Sequence, residues 1–222
     1  MTPILFDFNG TMFADAKKHE IAWGQFLVAK LGRRISGEEF RKYVYGPLND
    51  AIIRHFFGDD LSVQERRALG EEKERLYRDL CYADPENLHL VKGLPALLDA
   101  LACRNVPMNI ATCSYAANVD FYFRAFGLAK WFDREKIAYD DGDTPGKPDP
   151  AIYLLAAKNI GVEISDCTVV EDSLIGIRAA RLAGVRRIVA IATANPRKTL
   201  EKAEGVDAVI EDFTEFSPEL YG

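Results

Sequence analysis

The chain opens on a strand that stops at a carboxylate. Ile4-Leu5-Phe6 is an unbroken apolar run, Asp7 follows it, and Asn9-Gly10-Thr11 turns the backbone away. Open α/β sheets collect their ligands at the carboxyl ends of their strands, and Asp7 falls at such an end. An aspartate in D-x-N-G-T can also do no more than open a turn. The rest of the chain decides between these readings, because it supplies side chains of matching chemistry in a matching order.

Residues 15–85 contain no convincing strand. Helical spacing runs over His19–Leu31, with shorter helices expected at Glu38–Tyr45 and Asp50–Phe57. A charged helix is expected over Val63–Tyr82, with Leu69, Leu76 and Leu80 as its buried stripe. Gly32, Gly46-Pro47 and Gly58-Asp59-Asp60 punctuate these segments. From residue 86 the pattern changes to strands alternating with helices: strands at 106–111, 168–170, 187–192 and 208–210, helices at 115–126, 151–160 and 173–182. Alternation of this kind indicates a mostly parallel sheet with right-handed crossovers. The fold expected is therefore α/β: a Rossmann-like, mostly parallel core made of residues 1–14 and 86–222. An all-helical cap domain, residues 15–85, is inserted after the first strand and covers the strand ends where Asp7 sits.

Other strand ends and loops carry chemistry. Ala111-Thr112-Cys113-Ser114 ends a strand on small hydroxyl residues. The Thr112 hydroxyl, with the amides that follow from Cys113 onward at a helix N-terminus, makes an anion site; Thr112 as a simple helix cap is the other reading. Gly146-Lys147-Pro148-Asp149-Pro150 presents one lysine from a loop that two prolines stiffen. Glu171-Asp172 directly follows the apolar strand Val169-Val170, and adjacent acids at a strand end suit a hard cation, although they also suit a helix N-terminus. Asp7 is thus a candidate nucleophile. Asp7, Glu171 and Asp172 can hold Mg²⁺, and Thr112 and Lys147 can hold an anion. The combination suits phosphoryl transfer, which needs positioning and charge neutralisation above all.

With these residues in order, the chain resembles the haloacid dehalogenase superfamily over nearly its whole length, in the phosphatase and phosphomutase branch with a helical cap after the first strand. Asp7-Phe8-Asn9-Gly10-Thr11 is similar to the nucleophile motif, Thr112 to the phosphate-binding hydroxyl and Lys147 to the motif lysine. Glu171-Asp172-Ser173 with Gly176 is similar to the metal motif. His19 with Ala22-Trp23 resembles the first cap helix of the β-phosphoglucomutase-like group, which makes His19 a cap residue to test for substrate contact. The resemblance implies Mg²⁺ as cofactor, with the main-chain carbonyl of Asn9 among its ligands, and a small phosphorylated metabolite as substrate.

The sequence departs from that pattern twice. The family's second aspartate, its general acid/base, is Asn9 here. The cap arginine of β-phosphoglucomutases is missing from Gly46-Pro47-Leu48-Asn49-Asp50, and Arg54 lies a turn further on. The missing arginine weakens a mutase reading, Asn9 supports a binding protein of low turnover, and the retention of Asp7, Lys147, Glu171 and Asp172 favours a Mg²⁺-dependent phosphatase working through a phospho-Asp7 intermediate. The alternatives are a phosphomutase, or a phosphometabolite-binding protein of low turnover. A dehalogenase has little use for Glu171-Asp172, and a phosphonate hydrolase would need a cap lysine that is not identified. Of the histidines, His55 is expected to pack on a cap helix and His89 to lie near a linker; Trp23, Tyr43 and Tyr45 are expected in the cap core.

Composition excludes some classes. The 222 residues are 48% hydrophobic with a net charge of −6, and the basic pairs are scattered, which points away from nucleic acid. The first residues lack the basic region of a signal peptide, and no apolar run reaches the ~18 residues of a membrane span. The 4 cysteines form neither C-x-x-C nor a zinc pattern, so a cytoplasmic protein with reduced thiols is expected.

Overall fold

A computed structural model describes residues 2–44 and 48–217. The first strand, β1 (Ile4–Phe6), is short because it is buried on both faces and ends at a charge. Its side chains are fully buried, and each contributes roughly 1.5–3 kcal/mol by leaving water. Leu5 joins Val169, Ile188, Ile152 and Ile177 on one side of the sheet. Phe6 packs on the other side against Phe132 and Phe213, ring centroids 6.4 and 6.2 Å away.

The chain divides into two compact units: residues 1–14 with 89–222, and residues 15–88. The second unit holds α1 (Ala16–Leu31), α2 (Gly37–Tyr43), α3 (Asn49–Phe57) and α4 (Val63–Tyr82). Gly32 ends α1 in the left-handed conformation, φ 68°. Capping boxes start α2 and α4, Ser36 with Glu39 and Ser62 with Glu65, so two of the free amides at each helix start are satisfied by neighbouring side chains. The apolar centre is Trp23, Phe26, Leu27, Val44, Ile52 and Ile53.

The buried face of α4 differs from the leucine stripe expected. Leu69, Leu76 and Leu80 are half-buried, while Arg66, Gly70, Lys73, Glu74, Tyr77 and Cys81 face inward. Hydropathy misleads here because Lys73 and Glu74 are buried as partners, Nζ to Oε1 2.7 Å. His55 is exposed and packs on a cap helix, stacked on the half-buried Tyr43 of α2 at 3.6 Å. Tyr45, Gly46 and Pro47 lie outside the described residues.

The first unit continues with α5 (Leu94–Cys103), β2 (Met108–Tyr115), α6 (Ala116–Phe126) and β3 (Ala138–Asp140). Then come α7 (Ala151–Asn159), β4 (Thr168–Glu171), α8 (Leu174–Ala183), β5 (Arg187–Ile191), α9 (Arg197–Leu200) and β6 (Ala208–Ile210). The sheet order is β3-β2-β1-β4-β5-β6, with every adjacent pair parallel. This is the Rossmann-like arrangement, and its switch point lies between β1 and β4. Phe6 is in register with Val170, and the Asp7 amide extends that ladder to the Val170 carbonyl at 3.0 Å. Asp7 and Glu171 therefore leave the sheet side by side. No helix among the described residues is long and apolar enough to cross a membrane.

Candidate active site

The loop after β1 fixes Asp7 by backbone geometry. The amides of Met12 and Gly10 bond to the carbonyls of Phe8 and Phe13, each at 2.8 Å. Gly10 has φ 79°, and a Cβ there would lie 2.1 Å from Asp172 Oδ2, so conformation and proximity both demand glycine. Gly176 in α8 plays a similar part, since a Cβ there would meet Glu171 Oε1 at 1.7 Å. The two glycines let a loop and a helix close around the acids.

Asp7, Glu171 and Asp172 each offer a carboxylate oxygen within 4.8 Å of the others, all buried. Lys147, reached through a cis Lys147–Pro148 bond, is also buried. Its Nζ donates to Asp7 Oδ1 and to Glu171 Oε1, both at 2.6 Å. Glu171 accepts further bonds from the Tyr153 hydroxyl at 2.8 Å, on Oε1, and from the Ser173 amide and hydroxyl at 3.0 Å, on Oε2. Each oxygen of Glu171 is thus engaged twice.

One ammonium serving this many acids leaves charge unbalanced. Burial pushes the Asp7 carboxyl up to about 7, Glu171 adds to the rise, and Lys147 only partly opposes it. Burial acts on Glu171 in the same sense, but Lys147, Ser173 and Tyr153 together hold it below the ordinary carboxylate value. Lys147 sits well above its ordinary value because its two acids outweigh the burial that would lower it. The donor set is all oxygen, compact and short of positive charge, and so fits a hard divalent cation such as Mg²⁺.

Thr112 does not cap a helix. β2 runs on to Tyr115, so Thr112 lies inside the strand, and Tyr115 takes the N-cap position of α6. The strand extends past Ala111 because its continuation pairs with β3, Tyr115 opposite Asp140, a strand too short to read from sequence. Thr112 Oγ1 accepts from the Ser114 amide at 3.1 Å and approaches Asn9 Oδ1 at 3.4 Å. Cys113 is half-buried, and burial raises its thiol above the ordinary value, so it stays neutral. Asn9 is bonded to Ser114 and Tyr122.

The structure therefore brings together Asp7, Lys147, Glu171 and Asp172, and separately Asn9 with Thr112 and Ser114. His19 belongs to the helical unit, half-buried and stacked on Tyr77 at 3.9 Å. His89 is exposed, its Nδ1 3.0 Å from the Leu90 carbonyl. Sequence reasoning missed Tyr153 and Tyr122. Both sit in helices among apolar residues, where an aromatic reads as packing, and the only signal was the hydroxyl that phenylalanine lacks.

Fold and site together place a buried lysine and three buried carboxylates at the switch point of a parallel α/β sheet. The family profile of the haloacid dehalogenase-like hydrolases matches residues 2–184, and the chain belongs to that family. A HAD hydrolase of family IA, variant 3, from Entamoeba histolytica is 36% identical, with TM-score 0.91 over 100% of this chain and 97% of that one. An Asp-to-Asn variant of CbbY from Rhodobacter sphaeroides, in complex with xylulose-1,5-bisphosphate, is 27% identical. Its TM-score is 0.80 over 97% of this chain and 96% of that one. A phosphorylated carbohydrates phosphatase from Thermotoga maritima is 27% identical over 94% of each chain.

Proposed function

We propose that this chain is a Mg²⁺-dependent phosphatase of a small phosphorylated metabolite, working through a phospho-Asp7 intermediate. The observation that carries this reading is Lys147 buried between Asp7 and Glu171, 2.6 Å from each, with Asp172 in the same acidic cluster. The relatives described above, which include a phosphatase and a protein holding a sugar bisphosphate, support the substrate class.

Asp7 would attack phosphorus with a carboxylate oxygen. Lys147 holds that carboxylate in place, and the Thr112 hydroxyl with the Cys113 amide would receive phosphoryl oxygens. Glu171 has its oxygens engaged, so its role here is to fix Lys147. Ligation of Mg²⁺ would fall mainly to Asp7, Asp172 and the Asn9 carbonyl, and the ion would neutralise both anions as they approach. A mutase reading gains no support from Arg54, an exposed residue committed to Asp50 at 2.7 Å.

The test is phosphate release from a panel of phosphorylated metabolites, with and without Mg²⁺. Asp172→Ala should abolish turnover and weaken Mg²⁺ binding. Undiminished turnover in excess chelator would overturn the assignment.

A further inference from the structure

β5 ends in a loop that reaches two others. The Ala192 amide ties the start of this loop to β6, donating to the Ile210 carbonyl at 2.8 Å. Pro196 ties its end to α9, its carbonyl accepting from the Thr199 amide at 2.8 Å. Between these anchors Thr193 and Asn195 are half-buried, while Ala194 is exposed. The Thr193 hydroxyl donates to the Gly10 carbonyl, in the loop after β1. Asn195 Nδ2 donates to the Asp172 carbonyl at 3.0 Å, in the loop after β4. A carbonyl only accepts, so the Asn195 amide has to present its nitrogen there.

The two carbonyls belong to residues that meet. Gly10 and Asp172 lie so close that a Cβ at position 10 would run into Asp172 Oδ2. Gly10 is tied on both sides, its amide to the Phe13 carbonyl at 2.8 Å and its carbonyl to Thr193. Asn195 orients the peptide between Asp172 and Ser173, and Ser173 then starts α8, its hydroxyl accepting from the Gly176 amide at 3.0 Å. Three buried carboxylates within 4.8 Å of one another repel, and repulsion favours spreading these loops apart. Neutral bonds from a third loop to the main chain oppose that spreading and leave the charge of the site unchanged.

We propose that the loop after β5, through Thr193 and Asn195, sets the width of the cation site between the loops after β1 and β4, and so selects Mg²⁺ over the larger Ca²⁺. Both are positioning residues, since they hold main chain and act through Gly10 and Asp172. The inference rests on the Mg²⁺ site of the reading above and not on the phosphorylated substrate. Mg²⁺ requires oxygens at about 2.0–2.1 Å in near-octahedral order, whereas Ca²⁺ takes them at about 2.3–2.6 Å in flexible geometry. A site held narrow suits the first and strains the second. Once loosened, it adapts to Ca²⁺ readily, while Mg²⁺ binding must first draw the loops together.

The experiment titrates the unaltered protein, Thr193→Val, Asn195→Ala and Thr193→Ser calorimetrically with Mg²⁺ alone and with Ca²⁺ alone. Thr193→Val and Asn195→Ala should each weaken Mg²⁺ binding by about tenfold or more, the usual scale for removing a group that orients a metal ligand. Ca²⁺ binding should weaken less, so the preference for Mg²⁺ falls. Thr193→Ser keeps the hydroxyl and should keep both the affinity and the preference. The two truncations act on different loops, so if one does not fold the other decides. Unchanged Mg²⁺ binding in the folded truncations, even with a lower denaturant midpoint, reduces Thr193 and Asn195 to structural groups and overturns the inference. Equal weakening of Mg²⁺ and Ca²⁺ overturns it too. Both results leave the Mg²⁺ site standing. No Mg²⁺ binding by the unaltered protein removes the site and the inference with it.

Discussion

Each unit of this protein buries a lysine among acids, and the two clusters are built on opposite principles. In the helical unit the buried carboxylates of Asp15 and Glu74 each have their own partners. Glu74 takes Lys73 and the Asn49 amide, both at 2.7 Å. Asp15 accepts from the Tyr77 hydroxyl and faces His19 Nε2 at 3.4 Å. Lys73 Nζ also lies 2.8 Å from His19 Nδ1. In the α/β unit, Lys147 is shared between Asp7 and Glu171, with Asp172 close by. The titration of the acids records the difference. Glu74 is buried, and burial would raise it, yet Lys73, His19 and Asn49 bring it down to about 2. Asp7 is driven up to about 7. A buried cluster that satisfies itself holds a fold together; one that remains short of positive charge is prepared for a ligand that brings it.

The largest expected effect comes from removing each lysine. Lys73→Met and Lys147→Met should each cost about 3–5 kcal/mol, because each leaves a buried carboxylate without its cation. Denaturant melts with and without Mg²⁺ separate them. Mg²⁺ should recover part of the loss in Lys147→Met and none in Lys73→Met. Equal recovery in both, or in neither, would break the contrast.

A smaller effect follows from Glu74. Its folded value of about 2 lies below the ordinary 4.5, so ionised Glu74 stabilises the fold above about pH 4.5, and that contribution is lost as pH falls toward 2. The shift corresponds to on the order of 3 kcal/mol in full. Glu74→Gln should flatten the acid limb of stability against pH between 4.5 and 2, measured by denaturant melts across that range. An acid limb identical to that of the unaltered protein would remove Glu74 from the account.

The contrast also explains what could be read from sequence. Asp7, Lys147, Glu171 and Asp172 stood out because each lies at a strand end or in a proline-stiffened loop, where a charge interrupts an apolar pattern. Lys73 and Glu74 did not, because inside a charged helix two more charges look like solvated surface, and only their mutual contact takes them inward. β1, α4 and β6 were legible because apolar runs and caps bound them. β3 was not, since Ala138–Asp140 is held in place by pairing rather than by any pattern of its own. Its absence is also why β2 read as ending too early, and why Thr112 looked like the start of a helix. The hydroxyls of Tyr122 and Tyr153 act across long sequence separations, on Asn9 and on Glu171, which no local pattern encodes.

The central claim is that the Asp7 cluster is short of positive charge and that a divalent cation supplies it. Asp7, raised from 3.8 to about 7, is protonated in the metal-free protein at mildly acidic pH. The stability tied to its protonated form is complete below about pH 3.8 and is lost as pH rises through 7. Metal ligation needs the carboxylate, so binding must expel that proton. The direct measurement is calorimetric titration of the protein with Mg²⁺ at pH 6 and pH 8, each in two buffers of different ionisation heat. The account predicts weaker binding with proton release at about pH 6, and tighter binding with little or no release at about pH 8. Binding of equal affinity at both values with no proton released, or no binding at either, would contradict it.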